Sequence, residues 1–148
     1  MSTIDIWCAY TKVPGIPTSS FPGLDPISVP LIDVILLGSK GDGISASALL
    51  DTGAAFNLFN VAYAEALGIN WRTSPSFTFA GVGAPAVKGF AVDLRMALKD
   101  EKVVWPCRVV FSEADFEYPV LGHIGFFDHF EERFDTRVRG FRLLGGGT

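Results

Sequence analysis

Glycine-rich turns cut this chain into short apolar runs, and that punctuation limits the fold more than any other feature. Residues 31–37 are apolar except for Asp33 and end in Gly38-Ser39-Lys40-Gly41-Asp42-Gly43, a turn composition. Residues 44–50 then run back, small and apolar, which predicts a hairpin. Residues 55–59 read as a strand. Asn60 suits the N-cap of a short helix over 61–67, with Gly68 in the position just past its end. Gly81-Val82-Gly83-Ala84-Pro85 separates a run at 76–80 from a long one at 86–98, and Lys99-Asp100-Glu101-Lys102 turns the chain into 103–111. Residues 124–130 predict one or two further helical turns, and 130–135 and 140–144 are the last strands. Short strands with glycine turns throughout predict an all-β barrel or sandwich with two small helices.

The first thirty residues differ. Pro14, Pro17, Pro22, Pro26 and Pro30 are five of the nine prolines, and proline cannot donate to a central ladder. Residues 1–30 therefore read as an extended arm with at most an edge strand over 4–10. Residues 31–148 read as a single domain, which is what a chain of 148 residues accommodates.

Composition excludes several classes of function. Net charge is −4, and Arg133, Arg137, Arg139 and Arg142 alternate with apolar and acidic residues. That is a solvated strand face, so nucleic acid is not an expected partner. No apolar run approaches the roughly 20 residues of a membrane span, and residues 1–10 lack the layout of a signal peptide. The expectation is a cytoplasmic protein with no membrane partner. Cys8 and Cys107 lie far apart, without metal-site spacing, and read as buried thiols with a disulfide as the alternative. His123 and His129 lack a third nearby ligand, so no metal site is expected; both read as surface or loop residues. Apolar residues reach 49% and charged residues only 19%. That is a low charge content, compatible with surface buried against a partner.

Leu49-Leu50-Asp51-Thr52-Gly53-Ala54 places a carboxylate at the end of an apolar run. Such a charge is costly unless hydrogen bonds or a partner stabilise it. Gly53 lets the backbone approach and offer its N–H to the carboxylate, and the Thr52 hydroxyl can bond a neighbouring main chain. One carboxylate alone is a poor peptide hydrolase, because water attack needs both a base and an acid. Two carboxylates sharing a proton supply both, as aspartic proteases themselves exemplify. The chain has no second Asp-Thr-Gly; in Phe134-Asp135-Thr136-Arg137 an arginine replaces the glycine. A two-fold dimer would bring two copies of Asp51 together.

The chain resembles the retropepsin-type aspartic proteases, the single-domain form, over residues 31–144. Three segments carry the likeness in order: the 48–54 run, Phe79-Ala80-Gly81-Val82-Gly83, and Pro119-Val120-Leu121-Gly122 followed by Ile124-Gly125-Phe126-Phe127. The resemblance implies a closed, barrel-like all-β fold with one or two short helices. It implies a homodimer hydrolysing an extended polypeptide, with Asp51 catalytic in each subunit and a water between the two aspartates. Thr52, Gly53 and Ala54 would support the catalytic loop, Gly81, Val82 and Gly83 would lie on a substrate-covering flap, and no metal or organic cofactor is expected. Read by themselves, Gly81 and Gly83 fit an ordinary hairpin turn equally well, and Gly122 fits close packing of a strand end. The chain departs from the family in His123, where a basic residue is common, in Pro85 beside the flap tip, and in its longer arm. A catalytically weak peptide-binding or dimerisation module of the same fold is the alternative.

Overall fold

The alternation expected of half-buried strands runs through the computed structural model, which describes residues 4–81 and 83–145. The strands are β1 (Ile4–Ala9), β2 (Thr11–Val13), β3 (Ile27–Val29), β4 (Leu31–Leu37), β5 (Gly43–Leu50) and β6 (Asn57–Asn60). They continue with β7 (Ser76–Phe79), β8 (Val87–Leu98), β9 (Val104–Ser112), β10 (Val120–Leu121), β11 (Phe130–Asp135) and β12 (Gly140–Gly145). A single α-helix among the described residues, α1 (Val61–Ala66), follows β6, and one 3₁₀ turn spans Trp71–Thr73. Strands account for 51% of the molecule, so the all-β reading holds.

A seven-stranded sheet in the order β4-β5-β10-β6-β9-β8-β7 closes on itself through an additional β4–β8 pairing, which makes it ring-like with β7 as the outlying edge. Strand β8 does this by serving two partners: its start pairs with β7 and its end with β4. Ile32, Val34 and Leu36 of β4 point inward together with Ala46, Ala48 and Leu50 of β5, while Asp33 and Ser47 face out as a cross-strand pair. The Ser47 hydroxyl donates to Asp33 at 2.5 Å. From β9, Trp105, Cys107, Val109 and Phe111 fill the interior. Pro106 sits where β9 has β8 on one side and no β6 partner yet on the other, a position that tolerates a missing N–H. The buried indoles are satisfied: Trp105 Nε1 donates to the Gly125 carbonyl at 2.8 Å and Trp71 Nε1 to Glu65 at 3.3 Å.

A second sheet, β1-β12-β11, packs Phe141, Leu143 and Phe130 onto the same core. One of its edges is β1, the edge strand expected of the proline-rich arm, but the arm holds more than that: β2 and β3 form a separate two-stranded pair. Arg133, Arg137 and Arg142 are exposed and paired with Glu131, Asp135 and Asp5.

Two expectations need correction. The helix α1 begins as predicted, with Asn60 accepting from the Ala62 N–H at 2.9 Å and Gly68 at φ +70°. The second helix, however, does not form at 124–130. Gly125 adopts φ +108° and its N–H goes to Asp128 Oδ1, which interrupts any helical ladder there, and the segment is a series of turns instead. Both cysteines are free, but only Cys107 is buried; Cys8 is half-buried at the inner face of β1. No helix among the described residues is long and apolar enough to cross a membrane.

Candidate active site

Strand β5 delivers Asp51 to a loop that the rest of the chain clamps from one side. The register of β5 with β10 is parallel, Leu49 beside Val120 and Leu50 beside Leu121, and the Asp51 N–H continues it to the Leu121 carbonyl at 3.1 Å. The loop then turns on itself, with the Ala54 N–H donating to the Asp51 carbonyl at 3.0 Å. The carboxylate accepts the Gly53 N–H at 2.9 Å on Oδ1, as the spacing of the triplet predicts. A Cβ on Gly53 would lie only 3.2 Å from that same oxygen, so the glycine keeps the carboxylate clear.

Residues 122–124 hold the loop's far side. His123 and Ile124 donate their N–H groups to the Ala54 and Ala55 carbonyls at 3.0 and 2.9 Å. The Gly122 N–H donates to the side chain of Asn57, a fully buried residue, at 3.0 Å. Gly122 comes so close that a Cβ there would meet the Ala54 and Phe56 carbonyl oxygens, the close packing its motif suggests. The His123 imidazole reaches the Thr52 carbonyl at 2.7 Å. Sequence reasoning placed His123 on the surface, and it is exposed, but it missed this contact, which spans 71 positions of the chain.

Among the described residues, no second carboxylate hydrogen-bonds Asp51 and no basic side chain pairs with it. Asp135, the nearest sequence parallel, is committed to the Arg137 guanidinium and its N–H, which hold its carboxyl below the ordinary range. The Thr52 hydroxyl is exposed and has no hydrogen-bond partner among the described residues. Burial, with the Asp128 and Asp93 charges adding to it, pushes the Cys107 thiol up to about 12. It therefore stays protonated and is no nucleophile. No three His, Cys, Asp or Glu side chains among the described residues converge as metal ligands.

Gly81 and Gly83 lie at the tip of the β7–β8 hairpin, Gly83 at φ +73°; Val82 lies outside the described residues. Behind the tip, Phe77 and Phe79 of β7 meet Phe56, which follows the Asp51 loop, in edge-on contacts at 5.5 and 5.1 Å between ring centroids. This aromatic bridge between hairpin and loop was not foreseen. Four surface cavities among the described residues lie away from Asp51, one of about 520 Å³ beside Leu37, Ile69 and Arg95.

A ring-like sheet that presents Asp-Thr-Gly at a strand end, backed by a Leu-Gly strand end, defines the retropepsin-like fold. Among solved structures the chain is similar to a retropepsin-like aspartic protease from Rickettsia conorii, with a TM-score of 0.64, 14% identity, and coverage of 97% of this chain and 92% of that one. It is also similar to EIAV protease complexed with the inhibitor HBY-793, at a TM-score of 0.49 and 21% identity over 64% of this chain and 82% of that one. No protein-family model and no curated protein matches the chain.

Proposed function

We propose that the protein is an aspartic endopeptidase, active as a homodimer in which each subunit contributes one Asp51. The observation that carries this reading is the Asp51 carboxylate itself. It is held by the Gly53 N–H in a loop clamped by residues 121–124, with no partner acid within its own chain among the described residues. Two such loops meeting at a two-fold axis form a pair that shares one proton. The ionised member takes a proton from water, the protonated member donates to the scissile carbonyl oxygen, and the proton then passes to the leaving amine. The Thr52 hydroxyl, without a partner among the described residues of its own chain, is left to bond the main chain of the second subunit, Gly53 and Ala54 keep the loop's shape, and the hairpin tip at Gly81 and Gly83 closes over an extended polypeptide. The likeness of fold to retropepsin-like proteases supports this reading.

The test compares wild type with Asp51→Asn on unstructured polypeptides from acidic to neutral pH, with sedimentation at the assay concentration. Activity should fall by at least about a thousandfold, in line with loss of an essential catalytic group, and the active species should be a dimer. Cleavage unaltered by the substitution, or an active monomer, would overturn the proposal. Pro85, which cannot donate an N–H from beside the hairpin tip, favours the second reading, a binding module with weak catalysis. That reading requires peptide binding that persists in Asp51→Ala and no turnover by the wild type.

A further inference from the structure

The contact between His123 and Thr52 reaches beyond the turn it closes. The Thr52 carbonyl and the Gly53 N–H belong to one planar trans peptide unit, so they point in opposite directions. His123 Nε2 lies 2.7 Å from the carbonyl oxygen at one end, and Asp51 Oδ1 lies 2.9 Å from the Gly53 nitrogen at the other. A carbonyl oxygen can only accept, so Nε2 carries the hydrogen. The result is a relay: imidazole N–H to peptide carbonyl, then peptide N–H to catalytic carboxylate. Linked hydrogen bonds polarise one another, so drawing electron density to the Thr52 oxygen makes the Gly53 N–H a stronger donor to an ionised Asp51.

His123 is placed for this independently of its side chain. Its N–H and that of Ile124 are tied to the Ala54 and Ala55 carbonyls, and the Phe127 ring lies 5.3 Å from the imidazole. Titratable groups on neighbouring elements are Asp51 on the loop, Asp128 and His129 on its own turn, and, beside Ile124, Cys107 with the ion-paired Asp93 and Arg108 of β8 and β9. Asp128 accepts the Gly125 N–H at 3.1 Å and lies 3.6 Å from His129, so it is engaged away from the relay. The neutral Nε2–H tautomer and the imidazolium both donate, so the relay is available in either charge state of His123.

We propose that His123 is a positioning residue for Asp51, acting through the Thr52–Gly53 peptide unit. The inference rests on the peptidase reading of the site, and its test separates the two. Wild type, His123→Ala, His123→Gln and Asp51→Asn are compared by the pH profile of kcat/KM on an unstructured polypeptide and by the amide proton resonance of Gly53. In His123→Ala, kcat should fall roughly five- to tenfold with KM little changed, the scale of one lost hydrogen bond. The acid limb of the profile should move to higher pH, because the ionised carboxylate has lost support, and the Gly53 resonance should move upfield. Glutamine, whose amide can donate to the same oxygen, should restore both. If His123→Ala does not fold, His123→Phe keeps a ring against Phe127, removes the donor and is read in the same way. An unchanged Gly53 resonance and acid limb would overturn the proposal, as would failure of glutamine to restore either. If the wild type cleaves no peptide, the peptidase reading falls, and the Gly53 resonance still decides whether the relay exists.

Discussion

Gly122 shows how little room surrounds the candidate site. Its backbone angles are ordinary; what demands a glycine is the approach of two carbonyl oxygens, since a Cβ would stand 2.6 Å from that of Phe56 and 2.7 Å from that of Ala54. Those carbonyls belong to the segment that follows Asp51, so they cannot retreat without moving the loop. Gly122→Ala should therefore destabilise the fold by about 1–3 kcal/mol, the usual cost of overpacking, measured by urea unfolding. Asn57 sits in the same wall with its side-chain oxygen accepting from the Gly122 N–H and its Nδ2 without a hydrogen-bond partner among the described residues.

Within the ring-like sheet, β7 is the strand that can come away. It pairs only with β8, Ser76, Phe77 and Thr78 are exposed, and its attachment to the body runs through Phe56 and through the Phe79 ring, which lies over Gly89 where a Cβ would collide with it. Phe79→Ala removes the packing over Gly89 and the shorter of the two contacts with Phe56, leaving that of Phe77. The β7 amides should then exchange roughly tenfold faster in hydrogen-exchange measurements while those of β5 and β9 stay protected, as expected when an aromatic pair worth about 1 kcal/mol is lost from a locally opening unit. Elements of this kind were legible in the sequence because their signals are local. The Gly38–Gly43 turn announced β4 and β5, and Asn60 and Gly68 bracketed α1. The misread segment is instructive: Phe126, Phe127 and Phe130 have a helical spacing, but the Gly125 conformation sets the path, and a glycine's φ is not written in its neighbours. Strand β10 has two residues and is defined by its partners rather than by any pattern of its own. The same limit hid the His123 contact, since nothing near position 123 refers to Thr52. Asp51 and Gly53 could be read together because their hydrogen bond is two positions long.

At the scale of the whole molecule, the terminal sheet carries an ionisable group on its inner face. Glu132 lies opposite buried Leu143 and between Phe130 and Phe134, with one carboxyl oxygen buried and without a hydrogen-bond partner among the described residues. Burial pushes its carboxyl up to about 8 from an ordinary 4.5, with the Glu131 charge adding to the effect. The folded form thus binds this proton more tightly than the unfolded chain does. Its full benefit is present below about 4.5 and declines as pH rises towards about 8. Urea midpoints should fall across that window, and Glu132→Gln should flatten the decline. The difference should be of order 1–2 kcal/mol once the half-open setting is discounted. The sheet pairings also bear on when function can arise. The last partner of the Asp51 strand is Leu121, so the Asp51 turn stays unclamped in a growing chain until synthesis has passed that residue and the parallel β5–β10 ladder has closed. Contacts so distant along the chain form slowly. A nascent chain therefore carries Asp51 long before the loop that holds it can close, and the candidate site is acquired late, as a property of the finished fold.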